Sequence, residues 1–209
     1  MIRLAISVEG QTEEEFVKQL LVSHLHRRDV DARPVLIGRA RGSGQGGGTV
    51  TIDRLVKDMR ELKGNYDAVT SLVDFYGFKG KGSMSPDDLV EEIRNRIGQS
   101  DERFVFPYIQ VHEFEGLLFS NVNAFKQEFD QVPIAELQSI RSGFDTPEDI
   151  NDNPIKAPSK RIKELIPSYQ KPVDGPNLAE RIGLDRMRTE CPRFNAWLGR
   201  LESLGDRTA

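Results

Sequence analysis

The sequence predicts an α/β fold: a mostly parallel four-stranded sheet with helices on both faces, followed by a helical C-terminal extension. Three observations predict it. Short apolar runs alternate with segments of helical period as far as Val111, the runs stop at glycines, acids or turn residues, and no segment repeats another. With 209 residues, 37% of them hydrophobic and 30% charged, the chain suits one domain with an elaboration. The division expected is an α/β domain over 1–120 and a helical, loop-rich extension over 121–209 packed on it.

The first strand is Arg3 to Val8 (RLAISV), apolar and bounded by Gly10. From Thr12 the period changes, with Phe16, Val17, Leu20, Leu21 and Leu25 at helical spacing through about Arg28. Ala32 to Ile37 is the second strand candidate, and the glycine-rich RGSGQGGGT follows it. Ile52, Leu55, Val56, Met59 and Leu62 mark one face of a helix ending near Gly64. Asp67 to Val73 is the third strand. Ser85-Pro86-Asp87-Asp88 supplies an N-cap, an N1 proline and first-turn acids for a helix continued by Leu89, Val90, Ile93 and Ile97. Arg103 to Val111 is the fourth strand, where Pro107 points to an edge position or a bulge. Beyond Phe119 the chain reads as helices and loops. Thr146 to Pro158 forms a long loop or lid, and a last helix buries Phe194, Trp197, Leu198 and Leu201.

Composition removes several classes. No window approaches the run of about 18 apolar residues that a membrane span needs, and no secretory signal precedes the first strand, so a cytoplasmic protein is expected. A single cysteine, Cys191, leaves no internal disulfide and no cysteine-based zinc site, and without a nearby histidine it reads as buried packing. The net charge of −4 is uneven: Lys156 to Arg200 holds ten Lys/Arg against five Asp/Glu, so the acidic excess lies in the rest of the chain.

Ligands of open parallel sheets sit at the carboxyl ends of the strands. There the first strand ends in Glu9, the third in Asp74, and the fourth in Glu113 and Glu115 of VHEFEG. Carboxylates gathered so closely raise one another's pKa unless a cation lies among them, and the economical cation is Mg²⁺ or Mn²⁺. Chance acids at strand ends are the competing reading. The other glutamates of ISVEGQTEEEF sort differently: Thr12 and Glu15 fit a capping box, and Glu13 and Glu14 fit the solvated first turn of a helix. Glu113 and Glu115 share a side if extended and diverge if a helix begins there.

Lys79 and Lys81, amid glycines, close over a phosphate or simply line a solvated turn. Lys160 and Arg161 neutralise a nucleic-acid backbone or cover a solvated helix face. His112 is a metal ligand or general acid in one reading, and a supporting residue behind the ligands in the other. The glycine-rich run matches neither phosphate-binding fingerprint well: its G-x-G-x-x-G follows the second strand, and Gly48 stands where a P-loop needs lysine.

VEGQTEEEF, VDFYGF, VHEFEGLLF, and PSKRI followed by CPRFNAWL resemble the bacterial domain-of-unknown-function 4276 family, grouped with the Toprim domains of topoisomerases, primases and overcoming-lysogenization-defect nucleases. The resemblance covers nearly the whole chain. It implies a Toprim-like fold, a divalent-metal site, and phosphodiester chemistry or phage defence beside a partner ATPase. Glu9 corresponds to the Toprim glutamate and Asp74 to the first aspartate of Asp-x-Asp. Tyr76 stands at the second aspartate, leaving Glu113 or Glu115 to substitute and Tyr76 itself behind the ligands. The expected function is a metal-dependent nuclease or related phosphodiesterase. A non-catalytic subunit of an ATPase partner and a small-molecule phosphohydrolase are the alternatives.

Overall fold

The computed structural model describes residues 1–38, 49–98, 104–150 and 156–208. The glycine-rich run lies outside them except for Thr49, as do Arg103 and the middle of the expected lid. In chain order, β1 (Ile2–Val8) leads into α1 (Gln11–Phe16), a π-helical turn over Val17–Leu21, and α2 (Val22–His26). Next come β2 (Val30–Leu36), β3 (Val50–Thr51), α3 (Ile52–Lys63), β4 (Ala68–Asp74), β5 (Phe78–Lys79) and α4 (Pro86–Ile97). Two short strands follow, β6 (Val105–Phe106) and β7 (Ile109–Gln110), then a kinked 3₁₀ run over Phe114–Gln127. The extension contains α5 (Ile134–Ser142), α6 (Pro158–Leu165), α7 (Lys171–Ile182), α8 (Leu184–Glu190) and α9 (Pro192–Glu202).

The sheet is parallel with the order β2-β1-β4-β6, as the strand and helix alternation predicts. The expected fourth strand is split. Both β6 and β7 pair with β4 in one register, Val69 opposite Val105 and Asp74 opposite Gln110. Pro107 interrupts it, having no amide to donate. Side chains of β4 fill the gap: Thr70 Oγ1 donates to the Phe106 carbonyl at 2.6 Å, and Ser71 Oγ donates to the Tyr108 carbonyl and accepts from its amide at 2.9 and 3.0 Å. Beyond the main sheet, β3 and β5 form a two-residue parallel pair that the sequence pattern did not announce.

Alternation along the strands produces two cores. Leu4, Ile6 and Val8 of β1 face one that includes Phe16, Phe114, Leu118, Phe194 and Trp197. Ala5, Val69 and Val73 face the other, filled by Leu55, Met59, Leu89 and Ile93 from α3 and α4. The first core therefore draws on both ends of the chain. Phe194, Trp197, Leu198 and Leu201 are buried as the pattern of α9 predicts, each contributing about 1.5 to 3 kcal/mol. That outweighs the exposed Arg193 to Asp87 ion pair, worth at most about 1 kcal/mol. Cys191 is buried beside Ser120 Oγ at 3.3 Å, and burial pushes its thiol up to about 12. Among the described residues no helix is long and apolar enough to cross a membrane.

Asp58 fastens α3 to the sheet. Its buried carboxylate accepts from Ser7 Oγ at 2.6 Å and from the Gly38 amide at 3.0 Å. Asp58→Ala leaves both donors short of a partner, and urea denaturation is expected to show a loss of about 1 to 3 kcal/mol. A variant as stable as wild type would contradict the anchoring role.

Candidate functional site

Parallel pairing of β1 with β4 sets Val8 opposite Leu72, so Glu9 and Asp74 emerge at the same carboxyl edge of the sheet. The turn after β1 is shaped by Gly10, the N-cap of α1. Glu13 reaches back and accepts from the Gly10 amide at 3.1 Å. This corrects two expectations. The cap is not the Thr12 and Glu15 pair, and Glu13 is not solvated but buried, at 3% exposure. With the helix starting one residue after Gly10, Glu13 holds the position that turns inward. Glu14 and Glu15 face Lys18 at 3.0 and 2.8 Å on the outer side, as a first-turn role predicts.

Asp74 accepts from the Phe114 amide at 2.8 Å and meets the Lys171 ammonium at 3.2 Å. Glu115 is fully buried; one oxygen accepts from Tyr169 Oη at 3.2 Å and the other pairs with Lys171 at 2.9 Å. Glu113 turns away from Glu115 and accepts from the Ser159 amide in the first turn of α6 at 3.0 Å. A helix amino end favours such a carboxylate. Lys171, which the sequence offers only as one charge of the basic C-terminal segment, opens α7. The preceding Gln170 amide is tied to Asp174 at 2.6 Å, and Gly175 lets α7 close on Tyr169, Phe114 and Thr12. Glu9 sits against Gly77, where even a methyl group would overlap its carboxylate. Its Oε2 is buried with no hydrogen-bond partner among the described residues.

The electrostatics follow from crowding. Burial, then Asp74, push Glu9 up to about 7 and Glu13 up to about 8, with Lys171 opposing. Burial raises Glu115 to about 7, Lys171 again opposing and Asp74 adding to the rise. Asp74 is raised too, by burial and by Glu113, against the pull of Lys171. Burial alone would lower Lys171, but Asp74, Glu115 and Glu13 raise it, so it stays an ammonium. Among the described residues one cation, Lys171, thus serves a group of acids that repel one another.

The remaining predicted residues neighbour these acids along the chain or through the Ser159 amide. Tyr76 stacks on His112 with ring centroids 5.3 Å apart, and its amide donates to the His112 carbonyl at 3.2 Å. His112 has a left-handed φ of 63°, and burial lowers its pKa. Lys81 donates to the Phe78 carbonyl and lies over the Phe75 ring at 4.8 Å, while Lys79 is exposed on β5. Lys160 and Arg161 lie in the first turn of α6, beside the Ser159 amide that holds Glu113.

Donor chemistry fits a hard divalent ion: the acids offer carboxylate oxygens, and Glu9 Oε2 is a buried acceptor without a donor. Spacing fits less well, since among the described residues no three His, Cys, Asp or Glu side chains form a ready ligand cluster. Lys171 is the cation between Asp74 and Glu115.

Fold and site together define an α/β protein with a carboxylate and lysine cluster at the carboxyl edge of a parallel sheet. The chain belongs to the family described as domain of unknown function (DUF4276), whose profile matches residues 8–202, from the end of β1 through α9. No curated protein matches the chain, and no solved structure does.

Two measurements probe the cluster. Folded-state pKa values near 7 and 8, against 4.5 for an ordinary glutamate, mean that the folded chain holds protons the unfolded chain has released. Their contribution to stability is fully present below pH 4.5 and is lost as pH rises through 7 and 8. Melting temperature in EDTA is therefore expected to fall over that window, and Glu13→Gln, which cannot ionise, to flatten the slope. An unchanged slope in Glu13→Gln would remove Glu13 from the cluster. Separately, Gly77→Ala is expected to cost about 1 to 3 kcal/mol by overpacking against Glu9, and Glu9→Ala to relieve it. Additive losses in the double variant would refute that contact.

Proposed function

We propose that the protein is a divalent-metal-dependent phosphodiesterase acting on nucleic acid, a nuclease of Toprim type. The observation that carries this reading is the convergence of Glu9 and Asp74, from the ends of adjacent parallel strands, with Glu13, Glu113 and Glu115 around too few cations. Glu9 and Asp74 would hold Mg²⁺ or Mn²⁺, and Glu113 and Glu115 would complete the shell or hold a second ion. Bound there, such an ion polarises a phosphate and lowers the pKa of a water. Glu13 supplies, from the helix, a carboxylate that Tyr76 cannot supply at the Asp-x-Asp position. Lys171 keeps Asp74 and Glu115 paired in the metal-free chain and leaves Glu9 the acid most open to a new cation. Lys79, Lys81, Lys160 and Arg161 would contact backbone phosphates, with His112 and Tyr76 behind the ligands.

Lys171 also favours a second reading, since an acid cluster already bridged by an ammonium can be purely structural. The protein would then be a non-catalytic subunit of an ATPase partner. Family resemblance is the support for that partner and for a place in phage defence.

Incubation with plasmid and oligonucleotides in Mn²⁺ or Mg²⁺ against EDTA separates the two. Cleavage that depends on the ion, and that Glu9→Gln and Asp74→Asn each reduce by about 100-fold or more, is expected. Calorimetry should show Mn²⁺ binding that both substitutions weaken. No cleavage by wild type, or variants that cleave as well as it does, would sink the catalytic reading, and co-purification with an ATPase without Mn²⁺ binding would establish the other.

A further inference from the structure

Beside the acids stands a group of rings that neither core absorbs fully. Tyr76 and His112 stack with centroids 5.3 Å apart and planes 24° apart, and Phe75 lies 6.0 Å from Tyr76. The Lys81 ammonium lies 4.8 Å from the Phe75 centroid and 5.9 Å from that of Tyr76. All four side chains are half-buried, so each keeps a solvent-facing part, and Lys79 is exposed nearby. The arrangement is held by the backbone: the Tyr76 amide donates to the His112 carbonyl, and His112 keeps a left-handed φ of 63° that non-glycine residues adopt only at a cost. Chain adjacency fixes its place, because Asp74 precedes Phe75 and Glu113 follows His112.

We propose that this cluster is a base-stacking platform for single-stranded nucleic acid, which names the substrate class of the phosphodiesterase reading and rests on it. Aromatic faces interleaved with lysines bind bases of any sequence by stacking while the lysines meet the phosphates. A base that extends the Tyr76 and His112 stack has its own phosphate on the side of Asp74 and Glu113, the chain neighbours of Phe75 and His112. Duplex fits poorly, because its bases are already stacked on one another and offer the rings no face. Stacking requires exposed bases.

Binding is measured in EDTA, where no cleavage occurs, by fluorescence anisotropy with a labelled thymine-rich single strand and the corresponding duplex. The single strand is expected to bind more tightly, Tyr76→Ala to weaken it by about 10-fold or more, and Tyr76→Phe to bind like wild type. A 2-aminopurine flanked by thymines should lose emission when wild-type protein is added, a readout that needs no variant to fold. Equal affinity for duplex, undiminished binding by a folded Tyr76→Ala, or unchanged 2-aminopurine emission would each overturn the platform. Failures of the two readings look different. Tyr76-dependent binding of single strands without cleavage in Mn²⁺ sinks the nuclease and leaves the platform standing, whereas ion-dependent cleavage without single-strand preference does the reverse.

Discussion

Carboxylates gathered out of water repel one another, and the ammonium of Lys171 offsets that repulsion where Asp74 and Glu115 meet. Much of the architecture serves to bring it there. Lys171 belongs to α7, and α7 reaches the site by packing chiefly on α1 and on the 3₁₀ run that carries Glu115. Gly175 permits the close approach, and Tyr169, just before the helix, donates to the same Glu115. The C-terminal extension is therefore part of the site, and its hydrophobic residues share a core with β1.

A cluster with surplus acid costs stability, so the scaffold around it has to be rigid. The two cores on either face of the sheet provide most of that, through apolar burial. Polar anchors then fix particular elements. Glu148 accepts from the Arg193 and Phe194 amides at 2.9 and 3.0 Å, holding the amino end of α9 with its buried carboxylate. Trp197 on that helix stacks on Tyr108 at 4.6 Å and donates to Thr70 Oγ1 at 3.0 Å. Thr70 in turn bonds the Phe106 carbonyl, so α9 clamps the strand that Pro107 interrupts. Downstream of that interruption lie Gln110, His112, Glu113 and Glu115, whose positions depend on β7 keeping the register of β6.

Features set by local pattern were legible in the sequence. The strands and helices of the parallel sheet follow from period and caps, and the meeting of Glu9 and Asp74 at one sheet edge follows from parallel strands that end there. Features set by packing were not. Lys171 lies 97 residues from Asp74, and nothing in a lysine before a proline announces an internal counter-ion. Gly77 resembles its loop glycine neighbours until the Glu9 carboxylate is seen against it. Glu13 was hidden by a more conspicuous signal. Thr12-x-x-Glu15 matches a capping box, whereas Gly10-x-x-Glu13 offers only half of one, because glycine has no side chain to return the bond. Each residue of helix turns a side chain by about 100°, so placing the start two residues late sent Glu13 outward and missed a buried acid.

Tyr76 shows how the same position changes meaning once neighbours are known. Beside Asp74 in sequence it reads as a missing ligand, a deficit in the acid set. In the fold its ring lies against His112, a residue from the end of the fourth strand, with the Lys81 ammonium over the ring. Glu13, arriving from the helix after β1, brings a carboxylate into the electrostatic reach of Asp74 and Glu9 by another route. The chain thus keeps its acids at the sheet edge while freeing the position after Phe75 for an aromatic ring. An aspartate there would add a further charge to a cluster whose glutamates already have raised pKa values, whereas a tyrosine adds none and sets its ring against His112 and Lys81.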